Sequence, residues 1–163
     1  FVDLDERIER LFGASTPSLL AEGEAVFRSA ERRALATLVA EPGFAGRDVV
    51  VATGGGTVID PENRALMRAT GTVVHLAASV DALHGRLTES EAAAPGGRPL
   101  LETGVVPLRD RLAQLLGERA AAYRDCDLEV DAGAAPEDVA RRITAALAVE
   151  PNPAAGAPDS EAV

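Results

Sequence analysis

Asp48-Val49-Val50-Val51-Ala52-Thr53-Gly54-Gly55-Gly56 is an apolar run that stops on three consecutive glycines. The run does not alternate apolar with polar residues, which is the pattern of a parallel strand covered on both faces. Three glycines directly after such a strand permit positive φ and let a ligand approach backbone N–H groups. In open α/β sheets, ligands sit at these carboxyl ends of strands. The loop fits neither G-x-x-x-x-G-K-[ST] nor G-x-G-x-x-G, the two common glycine patterns for nucleotide phosphates.

Working outward, residues 72–77 are a second apolar strand, residues 127–130 read as a third interior strand, and Phe1-Val2-Asp3 reads as the end of a fourth. Helical spacing fills the intervals. Leu4, Ile8, Leu11 and Phe12 recur up to Gly13, a C-terminal cap. Thr16-Pro17 is an N-cap followed by proline at the first helical position, and a longer helix over residues 24–41 turns Phe27, Leu35, Leu38 and Val39 inward. Asp60-Pro61 opens a helix to about residue 70, and Ser79 caps one over residues 80–87. Leu108, Leu112, Leu115 and Leu116 mark another that continues past Arg119, and Pro136 opens a last one with Val139, Ile143 and Leu147 inward. Residues 88–104, with Ala94-Pro95-Gly96-Gly97 at their centre, read as an exposed mobile loop. Strands alternating with helices imply parallel pairing and right-handed crossovers, hence a three-layer α/β domain over residues 1–149. Residues 150–163, rich in proline, alanine and acids, are predicted to be a disordered tail.

The length of 163 residues with 47% hydrophobic content suits one domain with a packed core. All 16 basic residues are arginine, and against 26 acidic ones they leave a net charge of −10, which argues against general nucleic-acid binding. No apolar run approaches the ~20 residues of a membrane-spanning helix, and no secretory signal pattern opens the sequence. The single cysteine, Cys126, allows no internal disulfide and reads as a small core residue. His75 and His84 have no second histidine or cysteine at ligand spacing, so both read as structural.

Several polar groups stand where chemistry is possible. Asp3 and Asp5, two apart at a strand end, share a face if the strand continues, and could converge on a metal or a hydroxyl; taken alone, Asp5 is more simply a helix cap. Arg28 and Glu31 are one helical turn apart, so Glu31 can hold a guanidinium aimed at an anion, or form an ordinary surface pair. Arg98, at the end of the mobile loop, is placed to reach a transferring phosphoryl group, or is a solvated charge at a turn. Arg119, with Tyr123 on the following turn, is a second arginine that could meet a ligand.

The motifs F-V-D-L-D, G-E-A-V-F-R-S-A-E, A-T-G-G-G-T-V, R-P-L-L and E-R-A-A-A-Y occur here in the order and at the spacing of shikimate kinases, and the chain resembles that family from residue 1 to about residue 148. The resemblance implies a P-loop kinase-like fold with strand order 2-3-1-4-5. It implies phosphorylation of the 3-hydroxyl of shikimate from ATP with Mg2+, in the pathway to chorismate and aromatic amino acids. It also implies a cytoplasmic enzyme, monomeric at full length. By position, Asp5 matches the aspartate that holds the substrate hydroxyls and is the candidate base. Asp3 matches its partner near magnesium, through water. Arg28 and Arg119 match the two arginines on the shikimate carboxylate, with Glu31 supporting, and Gly54, Gly55 and Gly56 match the substrate-side glycines. Arg98 matches the lid arginine on the ATP phosphates, and Arg86 an arginine at the adenine. Other readings are a non-catalytic module of the same shape, a related kinase such as a gluconate kinase, or a domain of a larger aromatic-pathway enzyme.

One family element has no counterpart here: the first strand with the G-x-x-x-x-G-K-[ST] loop and its helix. The sequence has no lysine that could serve such a loop. The expectation is a chain shortened at its N-terminus, inactive as a kinase and poorly stable. Its strands would be split into two pairs with unpaired apolar edges.

Overall fold

In the computed structural model, which describes residues 1–46, 48–93 and 106–149, Val2 and Asp3 (β1, Val2–Asp3) lie beside Val51 and Ala52 (β2, Val51–Ala52) in parallel register. The second pair is also parallel. β3 (Val74–Ala77) matches β4 (Leu128–Asp131) residue for residue, so that His75 faces Glu129. Among the described residues the strands form two separate two-stranded sheets.

Seven α-helices connect and cover them among the described residues: α1 (Leu4–Phe12), α2 (Thr16–Glu22), α3 (Glu24–Val39), α4 (Pro61–Thr70), α5 (Val80–Ala93), α6 (Leu108–Arg124) and α7 (Pro136–Val149). Several boundaries have a local cause. Asp3 caps α1, and Gly13 ends it at φ 65°, a left-handed value that suits glycine. The cap of α2 is Ser15, whose hydroxyl accepts from Ser18 N–H, one residue earlier than the expected Thr16. Asp60 accepts from Glu62 N–H at the start of α4, and Ser79 accepts from Ala82 N–H in α5.

Leu4, Ile8, Leu19, Phe27, Ala30, Ala34 and Leu35 make the main core, where α1, α2 and α3 meet. Val130, Ala132 and Val139 form a second cluster between β4 and α7. Four expectations are corrected. The strand expected over residues 48–52 is only Val51–Ala52, and Val50 is 68% exposed; Leu76, in β3, is 53% exposed. A two-stranded ribbon is too narrow for helices to cover both of its faces, so two-sided burial fails. Leu11, Phe12 and Leu147 lie near helix ends and are exposed, although their spacing points inward. α5 runs on to Ala93, because Thr88 to Ala93 contains no helix breaker, so residues 88–93 of the expected loop are helical. Cys126 is half-buried rather than a core residue. The rest of the expected loop, residues 94–105, and the expected tail, residues 150–163, lie outside the described residues.

Candidate functional site

Because β1 and β2 are parallel, the residues that follow them meet at one end of the pair. Asp3 ends β1 and turns its Oδ1 to the N–H groups of Asp5 at 2.9 Å and Glu6 at 3.3 Å. The cap is therefore Asp3, not Asp5. The two carboxylates do not share a strand face, because the chain enters α1 at Leu4. That leaves Asp5 in the first helical turn, with Oδ1 3.5 Å from where a side chain on Gly54 would begin. Partial burial raises the pKa of Asp5, and the neighbouring Asp3 and Glu9 charges raise it further.

Arg28 projects from α3 toward the same loop. Its Nη1 donates to Glu31 Oε2 at 2.5 Å and its Nη2 to Glu24 Oε1 at 3.2 Å. Glu31 is only 1% exposed and accepts on its other oxygen from Thr57 Oγ1 at 2.9 Å. Burial pushes the Glu31 carboxyl up, and the bonds from Arg28 and Thr57 pull it back without cancelling that effect. Burial disfavours the Arg28 cation, but Glu31 and Glu24 outweigh it and hold the guanidinium protonated. Gly56 lies directly on that guanidinium: a Cβ there would overlap it. The glycine is required by close approach, not by backbone angle, since its φ is −93°.

The loop itself is fastened at both ends. Thr57 N–H donates to Gly54 O at 3.0 Å, and Asn63 Nδ2 donates to Thr57 O at 3.0 Å. Arg64 Nη1 holds the carbonyls of Val58 and Ile59, while its Nε reaches Asp125 beyond α6 at 2.9 Å. Tyr123 on α6 donates its hydroxyl to Gly55 O at 2.9 Å.

These groups enclose a cavity of about 350 Å3. Asp5, Arg28, Glu31 and the three glycines form one side; Arg119 and Tyr123, with Leu112, Leu115 and Leu116, form the α6 side. Arg119 is half-buried and donates no hydrogen bond to any described residue. One cavity thus offers two guanidiniums for an anion, a carboxylate for hydroxyls and an apolar wall for a carbon ring.

The sequence-derived candidates divide accordingly. Asp5, Arg28, Glu31, Gly54, Gly55, Gly56 and Arg119 line the cavity. Asp3 stands behind it as the cap of α1. Arg86 is elsewhere, donating to the carbonyls of Ala132 and Ala134 in the turn after β4. Arg98 lies outside the described residues. Thr57, Tyr123 and the leucine wall were not expected as site residues. Tyr123 had a signal, since it is four residues after Arg119 on one helix face. The leucines follow the spacing of an ordinary core stripe, which concealed their place at the cavity.

Comparison with known proteins identifies the family. The shikimate kinase family model matches residues 1–148. A shikimate kinase of Salinibacter ruber is 39% identical over 161 residues, covering 94% of this chain and 74% of that protein. One of Gloeobacter violaceus is 42% identical over 149 residues, covering 91% and 77%. Among solved structures, the Acinetobacter baumannii shikimate kinase in complex with shikimate superposes with a TM-score of 0.78 at 30% identity, covering 91% of this chain and 78% of that one. The Bacteroides thetaiotaomicron enzyme gives 0.75 at 31%, covering 91% and 83%. With a family match across nearly its whole length and relatives this similar, the chain belongs to the shikimate kinase family.

Proposed function

We propose that this cavity binds shikimate and that the reaction it serves is phosphorylation of the 3-hydroxyl of shikimate by ATP. The observation that carries the reading is that Asp5, Arg28 and Arg119 line one cavity of about 350 Å3. Shikimate has a carboxylate on one side of its ring and hydroxyls on the other. Arg28, braced by Glu31, and Arg119 take the carboxylate; Asp5 accepts from the hydroxyls and receives the proton of the attacking one. The raised affinity of Asp5 for a proton suits that task. Phosphoryl transfer depends chiefly on positioning and charge neutralisation, which fixed guanidiniums and a fixed glycine loop supply.

ATP is the co-substrate of the family, and Mg2+ is part of the proposal. Oδ1 of Asp3 is engaged in capping α1, so Asp3 would meet a hydrated magnesium through its other oxygen. That fits an ion that keeps several waters and takes one or two carboxylates alongside phosphates. When bound, the ion offsets phosphate charge. Arg98 is the proposed partner of the ATP phosphates. Arg86, fastened to the turn after β4, is the proposed neighbour of the adenine, on the family resemblance alone.

The family strand order also belongs to the proposal. It places a further strand between β2 and β3, and the exposure of Val50 beside β2 and of Leu76 in β3 supports it. Among the described residues no helix is long and apolar enough to cross a membrane. A monomer in the cytoplasm is the proposed setting.

A second reading concerns turnover. The 163 residues contain no lysine and no G-x-x-x-x-G-K-[ST] loop. This chain is therefore proposed to bind shikimate without phosphorylating it. Calorimetric titration with shikimate and with gluconate, followed by an assay of ADP release with ATP and Mg2+, tests both readings. Saturable shikimate binding with a dissociation constant below about 1 mM, and no ADP release, is expected. A preference for gluconate overturns the substrate, and shikimate-dependent ADP release overturns the second reading.

A further inference from the structure

We propose that Tyr123 and His75 are positioning residues that fix the Gly55–Gly56 peptide plane and so preset the floor of the cavity for its ligand. The inference rests on the reading that the cavity takes shikimate, but its geometric part stands on its own.

Glycine peptides rotate at low steric cost, so a ligand-facing glycine loop needs something outside itself to fix its planes. Thr57 N–H is tied to Gly54 O and Ile59 N–H to Gly56 O, both at 3.0 Å. Between these two ties, the N–H groups of Gly55 and Gly56 donate to no described residue. The carbonyl of Gly55 is held, at 2.9 Å, by the Tyr123 hydroxyl. No cis peptide bond occurs among the described residues, so the C=O of Gly55 and the N–H of Gly56 point in opposite directions within one rigid plane. Holding the carbonyl toward α6 therefore aims the Gly56 N–H away from α6. The Gly56 Cα meanwhile lies against the Arg28 guanidinium. Tyr123 thus sets the direction of one free donor beside the arginine that meets the anion.

Tyr123 is itself braced. Its ring stacks on His75, with centroids 5.1 Å apart and planes at 19°. His75 Nδ1 lies 3.1 Å from Glu129 Oε2, its direct partner across the β3–β4 ladder. The contacts run Glu129, His75, Tyr123, Gly55, from one sheet to the loop that follows the other. The two sheets share no strand pairing among the described residues, so this path carries the position of β3 and β4 to the site.

The test measures 15N order parameters at Gly56 in the ligand-free chain, together with shikimate affinity and melting temperature. It compares wild type with Tyr123→Phe, His75→Ala and His75→Phe. Tyr123→Phe keeps the stacked ring and removes only the donor. It should lower the Gly56 order parameter from about 0.85 to below about 0.6. It should also weaken shikimate by about fivefold or more, the scale of one lost hydrogen bond. His75→Ala should act in the same direction, and His75→Phe, which keeps a ring for stacking, should restore both readouts. A rigid Gly56 in Tyr123→Phe overturns the proposal, whether or not the melting temperature falls. If wild type fails to bind shikimate while Gly56 still loosens, the ligand reading fails and the positioning role stands. If wild type binds and Tyr123→Phe changes neither mobility nor affinity, the positioning role fails and the ligand reading stands.

Discussion

The Thr57 hydroxyl donates to one oxygen of Glu31 at 2.9 Å while Arg28 Nη1 donates to the other at 2.5 Å. One buried carboxylate thereby joins the turn after the glycine loop to the guanidinium that faces the cavity. An exposed arginine–glutamate pair one turn apart contributes only a few tenths of a kcal/mol and leaves the arginine free to wander. Here burial and the second donor fix it.

Replacing Thr57 with valine keeps the shape of a fully buried side chain and deletes the donor to Glu31. A hydrogen bond to a charged acceptor contributes about 1.5–3 kcal/mol, so urea unfolding should show a loss on that scale. Shikimate affinity should fall as well, because Glu31 no longer has a fixed position from which to hold Arg28.

Asp5 gives a pH signature. Its pKa is raised in the folded chain, chiefly by burial and then by Asp3 and Glu9. Folding therefore favours its protonated form. The ionised group opposes folding at neutral pH, and that opposition is relieved as pH falls through the raised pKa. Asp5→Asn should melt slightly higher than wild type near pH 7. The gap should close as pH falls through the carboxylate range, and shikimate binding should be lost at every pH. Thermal melts from pH 4 to 8 check the sign; a variant that melts lower at pH 7 contradicts it.

Arg119 donates to no described residue, so removing it sacrifices no bond to any of them. Arg119→Met should leave the melting temperature within about two degrees of wild type or above it. Shikimate affinity should fall at least about tenfold through loss of a charge-assisted contact. A large loss of stability would mean that Arg119 serves the fold instead.

Two alanine substitutions in one loop should part company. At Gly56 a Cβ overlaps the end of the Arg28 side chain, which can swing aside, so Gly56→Ala should fold with Arg28 displaced and bind shikimate at least about tenfold more weakly. At Gly54 the nearest neighbours would be 3.5–3.7 Å away, ordinary contact, so Gly54→Ala should disturb binding less. Calorimetry on the two variants gives the comparison.

Much of this was legible in the sequence, and the remainder failed for identifiable reasons. Apolar runs followed by capped helices announced parallel strands, and the motif order announced the family. Local spacing could not say that Asp3 rather than Asp5 caps α1, because that depends on where the strand ends. Nor could it find Thr57 for Glu31 or Tyr123 for Gly55, partners 26 and 68 residues apart that only the fold brings together. The exposure of Val50 and Leu76 was hidden because an apolar run states what a strand can bury and not what covers it.

In the proposed arrangement, Arg28 and Arg119 hold a carboxylate in a cavity whose other end accepts hydroxyls. Calorimetric titration of the chain with shikimate and with its methyl ester tests it most directly, since the ester keeps the ring and hydroxyls and removes the charge. Shikimate should bind saturably and the ester at least about tenfold more weakly. Equal affinity for the two, or no saturable binding of shikimate, would contradict the assignment.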